Sequence, residues 1–494
     1  MERTERMKPI YLDNGTKAVE AVYHHFPLKE FNENPFIQAL NPLASKTTII
    51  EKMTVIPDYG EDERHADKHY RIYMLQRLYQ LFQPLPIHVK VWDMIHNLII
   101  EGYLARNPFD RDYIRYLNES GKEIINNTHD FSNNDKFRTT SSCGTFIGFS
   151  GMGKTTTVNR ILNNISQVIV HNTYKGNHFN QIQLVWLKLE APPTSSLKAL
   201  CLQFFVKIDE VLGSNNYQKY VSRNSSVDSM LPVISQLAHN VGLGILVIDE
   251  LQNIRSKGAH QILNFFVNLI NSGVNIALIG TPGSYRLFDE ELRMARRLTG
   301  SAEIIYENMN FDAEFKFLLE SIWQYQWTKE HTPLSDEIVT EIYHHTQGIS
   351  DLMVKLVIYS QQYAIETGKE RLSVKLISRV AKERFKSLKP MIEAIRSGNP
   401  YKMAKYEDIL KREWKTEDPV SIDKRKIVNR AKRQMQNKVQ GDFSQRKKKK
   451  PVPAKNKSLN IEGDIRTLIK SDSNKTVYDH MKDNQLIDDL SEWM

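Results

Sequence analysis

Cysteine is nearly absent from this chain of 494 residues: Cys143 and Cys201 are the two, far apart and without metal-ligand spacing. A disulfide-built scaffold and a cysteine-rich metal site are thereby excluded, and both thiols are expected to be buried or neutral in a reducing cytoplasm. Long hydrophobic runs are lacking as well. Nothing approaches the roughly 18 successive apolar residues of a membrane helix, and Met1-Glu2-Arg3-Thr4-Glu5-Arg6 has no apolar signal-peptide core. A soluble protein with no membrane partner is expected. Acidic residues are missing from one stretch in particular. Between Lys424 and Lys457, fourteen Lys or Arg stand against the single Asp442. That stretch alone outweighs the net charge of +9, so the remainder of the chain is slightly acidic. It reads either as a polyanion-binding tether or as a solvated linker.

What is present is a globular composition, with 40% hydrophobic and 25% charged residues. The length suggests about three domains. The most informative stretch is Gly148-Phe149-Ser150-Gly151-Met152-Gly153-Lys154-Thr155, which fits G-x-x-x-x-G-K-[ST]. It lies between the short apolar strand Thr145-Phe146-Ile147 and a helix predicted to begin near Lys154. A strand that feeds a glycine loop into a helix N-terminus makes an anion cradle, because free N–H groups and the helix dipole converge on one point. Gly148, Ser150, Gly151, Met152, Gly153, Lys154, Thr155 and Thr156 are the expected nucleotide-binding residues. Lys154 would reach the β- and γ-phosphates of ATP, and the Thr155 hydroxyl would hold Mg²⁺.

The first ~140 residues mix short apolar clusters with turns. Helical periodicity runs from about His69 to Phe82 and from His88 to Tyr103. From Ser142 the texture becomes alternating strands and helices. Strands are predicted at Gln167–His171, Gln183–Leu189, Gly244–Ile248, Val274–Gly280 and Glu303–Tyr306, with helices at Ser196–Leu212, Val227–Asn240 and His260–Asn271. The alternation predicts an α/β fold, a parallel sheet with helices on both faces. After Phe311 the patterns are helical: Glu314–Tyr325, Ser335–His345, Ile349–Thr367 and Ser373–Glu383, with Pro390–Lys415 also helical in character. The expected organisation is an N-terminal region (1–140), mainly helical and available for partner recruitment, then an ATPase core (141–310). A helical lid with its extension (311–415) and a basic linker ending in a docking peptide (416–494) follow.

Ile245-Leu246-Val247-Ile248-Asp249-Glu250 is an apolar strand ending in two acids. Asp249 fits a role in holding the Mg²⁺ water shell, and Glu250 that of the base that orients and deprotonates the attacking water. Thr281 ends another apolar strand, Ala277-Leu278-Ile279-Gly280, and either touches the attacking water or the γ-phosphate or forms a turn before Pro282. Arg293-Met294-Ala295-Arg296-Arg297 is strongly cationic. Arg296 or Arg297 would complete a neighbouring subunit's site by neutralising charge on the transferred phosphoryl group; the bland alternative is a solvated helix end.

These features together resemble an AAA+ ATPase. More narrowly, the chain resembles TnsC, the AAA+ regulator of TnsABCD-type DNA transposons, with TniB proteins as more distant relatives. The resemblance runs from the N-terminal region to about Lys405. Its most specific stretches are Asn34-Pro35-Phe36-Ile37-Gln38-Ala39-Leu40, Ser196-Leu197-Lys198 with Cys201-Leu202-Gln203-Phe204-Phe205, and Leu246-Val247-Ile248-Asp249-Glu250-Leu251-Gln252. Leu263-Asn264-Phe265-Phe266-Val267, Leu278-Ile279-Gly280-Thr281-Pro282, Ala295-Arg296-Arg297 and Pro390 through Gly398 add to it. The resemblance implies an ATPase that regulates DNA transposition from the bacterial cytoplasm, associated with the nucleoid. Such proteins assemble on duplex DNA as rings or helical filaments, are recruited by a target selector (TnsD/TniQ-like) and activate transposase subunits (TnsA/TnsB-like). One departure is that Asp351 stands where many AAA+ lids carry a phosphate-sensing arginine; Lys355, one turn on, is the nearest substitute.

DNA contact without sequence reading needs cations and hydroxyls aimed at phosphates. Thr194, Ser195 and Lys198 open a helix after a strand and are candidates, with Arg223 in a polar loop as another. The alternative for the first three is a plain helix cap. The terminal Leu486–Met494 segment puts apolar residues among acids behind the basic linker, as a docking peptide would. Two other functions share the ATPase core: a helicase loader or replication initiator, and a nucleotide-gated signalling switch that does not touch DNA.

Overall fold

Between Cys143 and Tyr306 apolar strands alternate with helices. The computed structural model, which describes residues 9–126, 141–221, 226–289 and 302–409, shows how they stack. Two short strands, β1 (Pro9–Tyr11) and β2 (Lys17–Glu20), come first, followed by helix α1 (Pro86–Leu104). Next are β3 (Cys143–Gly148), α2 (Lys154–Asn163), β4 (Val168–Tyr174), β5 (Asn177–Leu184) and β6 (Trp186–Glu190). Helices α3 (Leu197–Leu212) and α4 (Val227–Asn240) lead into β7 (Ile245–Asp249), α5 (Ser256–Asn271), β8 (Asn275–Gly280) and β9 (Ala302–Tyr306).

Five strands form a parallel sheet in the order β6-β7-β8-β3-β9. Every residue of β3, β7 and β8 is buried, as strands covered on both faces require. Successive side chains serve opposite faces. Ile245 and Val247 join a core shared with α1 and α2, whereas Leu246 and Ile248 join one shared with α3, α4 and α5. The register sets Glu190 beside Asp249, Ile147 beside Gly280, and Gly148 beside Tyr306. The carboxyl ends of the strands therefore make one edge, the place where open α/β sheets bind ligands.

The N-terminal region contributes directly to this core. Helix α1 begins at Pro86, whose fixed φ suits a first turn, and lays Val91, Met94, Ile95 and Leu98 into the sheet's core. Gly144 permits the close approach, since a Cβ there would lie 2.9 Å from the Met94 sulfur. Asn275 Nδ2 donates to the Leu98 carbonyl and anchors α1 to β8.

Two of the predicted strands belong elsewhere. The run at Gln167–His171 does not enter the parallel sheet: β4 and β5 form an antiparallel hairpin in a second sheet, ordered β1-β2-β4-β5. The run at Gln183–Leu189 is divided at Val185, and only β6 crosses to the edge of the central sheet. The cause is the two-residue turn Lys175-Gly176, both at positive φ (49° and 81°), which reverses the chain at once. A parallel connection needs a dozen or more residues. Lys-Gly is a weaker turn signal than Asn-Gly, and this is why the sequence reads as two independent strands.

Beyond β9 the chain is helical: α6 (Ala313–Trp323), α7 (Asp336–Thr346), α8 (Ser350–Glu366), α9 (Val374–Arg384) and α10 (Lys389–Ser397). Asp312, Ser335 and Ser373 cap three of them through side-chain oxygens. The helix expected over Pro390–Lys415 stops at Gly398, at φ 58°, ahead of Asn399-Pro400. The lid is held to the N-terminal region by Arg71, which is 2% exposed. Its Nη1 and Nη2 donate to Glu370 Oε2 and Oε1, both at 2.7 Å, and Nη1 also donates to the Trp327 carbonyl at 2.9 Å.

Arg71→Ala is expected to lower stability by about 2 kcal/mol, read from urea unfolding, because it removes the donors to the Trp327 carbonyl and to Glu370 Oε1 and leaves Glu370 the Lys329 N–H. The Arg71 hydrogen bonds hold the Glu370 carboxyl below its ordinary pKa. A depressed folded-state pKa stabilises the protein above the unfolded value, about 4.3 for glutamate. This contribution is lost as pH falls through the folded value, and Arg71→Ala should flatten that part of the acid limb.

Candidate nucleotide site

The phosphate loop takes its shape from three glycines. At Gly148 a Cβ would lie 2.5 Å from the Tyr306 carbonyl oxygen, so β3 ends on a residue without a side chain. Gly151 and Gly153 stand at φ +81° and +82°, where other residues are strained. Gly153 caps α2, so the unpaired N–H groups of that helix's first turn lie at the loop. The loop opens on a cavity of about 650 Å³, within the range of small-molecule sites. Ser150, Gly151, Met152, Gly153, Lys154, Thr155 and Thr156 line it, as do Asp249, Glu250, Gln252, Thr281 and, from the lid, Ser350 and Asp351. The residues chosen from three separate motifs thus meet in one cavity.

Lys154 Nζ donates to the Phe149 carbonyl at 2.9 Å. Burial lowers its pKa, while the carboxylates of Glu250, Asp249 and Asp408 pull the other way. Asp249, 2% exposed, has both oxygens engaged. Oδ1 accepts from the Glu250 N–H, and Oδ2 pairs with Lys188 Nζ, each at 2.8 Å. Lys188 reaches Asp249 from the neighbouring strand β6 and also donates to Asn159 Oδ1 of α2 at 2.8 Å. Glu250 sits at φ 58°, a left-handed conformation that turns the chain sharply out of β7.

Gln252 links the two strand ends. Its Nε2 donates to Glu250 Oε2, and its Oε1 accepts from the Thr281 N–H at 3.0 Å. The Thr281 hydroxyl is buried and has no hydrogen-bond partner among the described residues, an arrangement that favours a ligand oxygen as partner. Thr155 and Asp249 offer a hydroxyl and a carboxylate, hard oxygen donors on one cavity wall, and this set fits Mg²⁺ with most of its waters retained. Among the described residues no group of three or more His, Cys, Asp or Glu forms a protein-only metal cage.

Residues 137–288 match the family model described as the AAA domain. This part of the chain is an AAA+ domain. A search of curated proteins finds no match. Among solved structures the chain is similar to the Aeropyrum pernix ORC1 protein in complex with DNA, at 14% identity and a TM-score of 0.35, over 56% of this chain and 67% of that one. It is similar to a Walker-type ATPase of Pyrococcus abyssi at 15% identity and a TM-score of 0.34, over 59% and 77%. It is also similar to domain III of the Thermotoga maritima replication initiation protein DnaA, at 14% identity and a TM-score of 0.29, over 56% and 92%.

The lid meets the AAA+ domain at the phosphate loop. The Asp351 N–H and the Ser350 hydroxyl both donate to the Gly151 carbonyl, at 3.0 and 2.9 Å. Lys355, the nearest lid substitute for a phosphate-sensing arginine, is paired with Asp351 Oδ2 at 2.6 Å. Arg296 and Arg297 lie outside the described residues, and so does Arg223.

The remaining DNA-contact candidates divide. Thr194 and Lys198 are exposed. Ser195 is 7% exposed, and its hydroxyl donates to the Asn253 carbonyl at 3.1 Å while accepting from the Arg255 N–H at 2.8 Å. It clips two loops together and does not face solvent. Ser196 caps α3 through the Ala199 N–H. No helix among the described residues is long and apolar enough to cross a membrane. Cys143 and Cys201 are both buried free thiols, and burial raises each pKa, Cys201 to about 12.

The sequence assigned no site role to Lys188, Gln252 or Asp408, which come to the site from separate elements. Lys188→Met leaves a buried carboxylate without its counter-charge and should lower the stability of the nucleotide-free protein by about 2 kcal/mol in urea unfolding. Mg²⁺ with nucleotide should restore part of that loss, since a cation would again face Asp249.

Proposed function

We propose that this protein is an ATPase that regulates DNA transposition by assembling on duplex DNA. The observation that carries the enzymatic half is the convergence on one cavity of the phosphate loop, Asp249, Glu250 and the Thr281 hydroxyl, which is unpartnered among the described residues. Support for the transposition half is the resemblance to TnsC-type regulators in stretches that a generic phosphate-loop protein does not need, such as Asn34–Leu40 and Pro390–Gly398.

In this reading Lys154 leaves the Phe149 carbonyl for the β- and γ-phosphates, and the N–H groups of the Gly151–Thr155 backbone hold the phosphate oxygens. Thr155 and Asp249 would hold Mg²⁺, which when bound would draw charge from the phosphate oxygens. Glu250, released by Gln252, orients the attacking water and accepts its proton, and Thr281 positions that water or the γ-phosphate. Arg296 or Arg297 acts from the neighbouring subunit, so the site is complete only between joined subunits. ATP therefore favours the ring or filament on DNA, and hydrolysis releases it. The assembled state connects a TnsD/TniQ-like target selector to TnsA/TnsB-like transposase subunits.

DNA binding with a nonhydrolysable ATP analogue tests the reading. Binding should be indifferent to sequence and fall steeply with salt, with log K declining linearly against log salt concentration. Binding independent of nucleotide, or insensitive to salt, would contradict it.

A further inference from the structure

The chain beyond the lid returns to the nucleotide site. After α10 a short turn at Pro400–Met403 leads to Glu407–Ile409, where Ile409 is fully buried. Arg286 Nη2 forms an ion pair with Glu407 Oε2. Gly283 lies under the same residue: a Cβ added there would sit 3.3 Å from Glu407 Cβ. Both Gly283 and Arg286 belong to the turn that follows Thr281. Asp408 reaches the opposite wall. Its backbone oxygen accepts from the Ser150 N–H at 3.4 Å, and the residue lines the cavity shared with Lys154, Thr155 and Thr156.

The partners contacted are the ones a nucleotide needs. Ser150 belongs to the phosphate loop, and its N–H is directed at a carbonyl oxygen of the protein's own chain. The Asp408 carboxylate acts on the Lys154 ammonium from the same cavity as Asp249 and Glu250. A triphosphate brings several negative charges into this partly buried space, where repulsion from a third carboxylate is stronger than in bulk water. Asp408 is not tied down by a cation among the ion pairs of the described residues, whereas Glu407 beside it is.

We propose that the Tyr406–Ile409 segment is a built-in competitor of nucleotide, docked between the phosphate loop and the turn after β8 and displaced when a triphosphate binds. The proposal rests on the nucleotide-binding reading above. The fraction of molecules with the segment undocked sets the apparent affinity, as for any ligand that binds a partly populated state.

The test uses the full chain and two readouts: equilibrium binding of fluorescent ADP and ATP analogues, and hydrogen exchange at amides 406–409. Asp408→Asn and Glu407→Lys should each bind nucleotide at least about threefold more tightly than the wild type. The double exchange Arg286→Glu with Glu407→Arg rebuilds the ion pair in reverse and should return the affinity to the wild-type value. Saturating nucleotide should remove protection at 406–409 in the wild type. A damaged fold would weaken binding, so tighter binding cannot come from misfolding. Unchanged affinity in both single variants, or protection that persists at saturation, overturns the competitor while leaving the nucleotide site intact. Failure of every variant and the wild type to bind nucleotide overturns the nucleotide reading and the competitor with it.

Discussion

Glu250→Gln is expected to bind ATP as the wild type does and to hydrolyse it about a thousandfold more slowly. The substitution keeps the shape and the hydrogen-bonding reach of the side chain but removes the basic oxygen. Glu250 is placed for this by a left-handed backbone at φ 58°, immediately after the buried strand β7. Its neighbour Asp249 has both carboxylate oxygens engaged, so it cannot take over as base without losing Lys188 or the Glu250 N–H. Steady-state phosphate release against ATP concentration separates the two effects: the maximal rate should collapse while half-saturation changes little. Normal hydrolysis by Glu250→Gln would remove this residue from the catalytic role. Gln252 is then the first alternative contact to examine, because it touches both Glu250 and the Thr281 backbone.

Lys154→Ala should fail earlier, at binding. The ammonium is held beside the loop by the Phe149 carbonyl and is already partly removed from water, so little ordering is needed when phosphate arrives. Two charge-assisted hydrogen bonds to phosphate oxygens, at about 2 kcal/mol each, correspond to about a thousandfold in affinity. Titration with a fluorescent nucleotide should show that loss, with the free protein still unfolding in one cooperative thermal transition. The contrast between the two variants is informative: one binds without turning over, the other does not bind. Similar affinities for both would mean that the cavity recognises nucleotide mainly through the base and sugar.

Much of this site was legible because its chemistry is local. Gly148 through Thr155 are consecutive, Asp249 and Glu250 close one strand, and Thr281 closes another; short spacing carries the pattern. The parallel sheet followed from the same strands, and the lid helices from their 3.6-residue periodicity and serine or aspartate caps. What escaped was long-range. Lys188 meets Asp249 across two strands, and its residue type is too common to signal a buried pair. Asp408 meets Ser150 only because the chain beyond the lid folds back. The β4–β5 hairpin was missed because Lys175-Gly176 adopts a turn that its sequence advertises weakly. Ser195 shows the opposite error, in which a polar residue beside a helix start resembled a phosphate contact but serves to pin a loop.

The nucleotide-free contacts give the proposed switch its physical content. Gln252 holds Glu250, Lys188 holds Asp249, Phe149 holds Lys154, and Asp408 meets the phosphate loop. Lys154, Asp249 and Glu250 each have a protein partner that nucleotide or its metal would have to replace, and the Thr281 hydroxyl is left for the ligand. A site organised in this way rests in a satisfied state and reorganises on occupancy, which suits a timer of assembly.

The central claim is that ATP held in this cavity joins subunits on DNA. Electron microscopy of full-length Glu250→Gln with ATP, Mg²⁺ and duplex DNA tests it most directly. Ordered rings or filaments are expected on the DNA, persisting with ATP and absent with ADP or in Lys154→Ala. Dispersed monomers on or off DNA with saturating ATP, or identical assemblies in the Lys154→Ala variant, would contradict it.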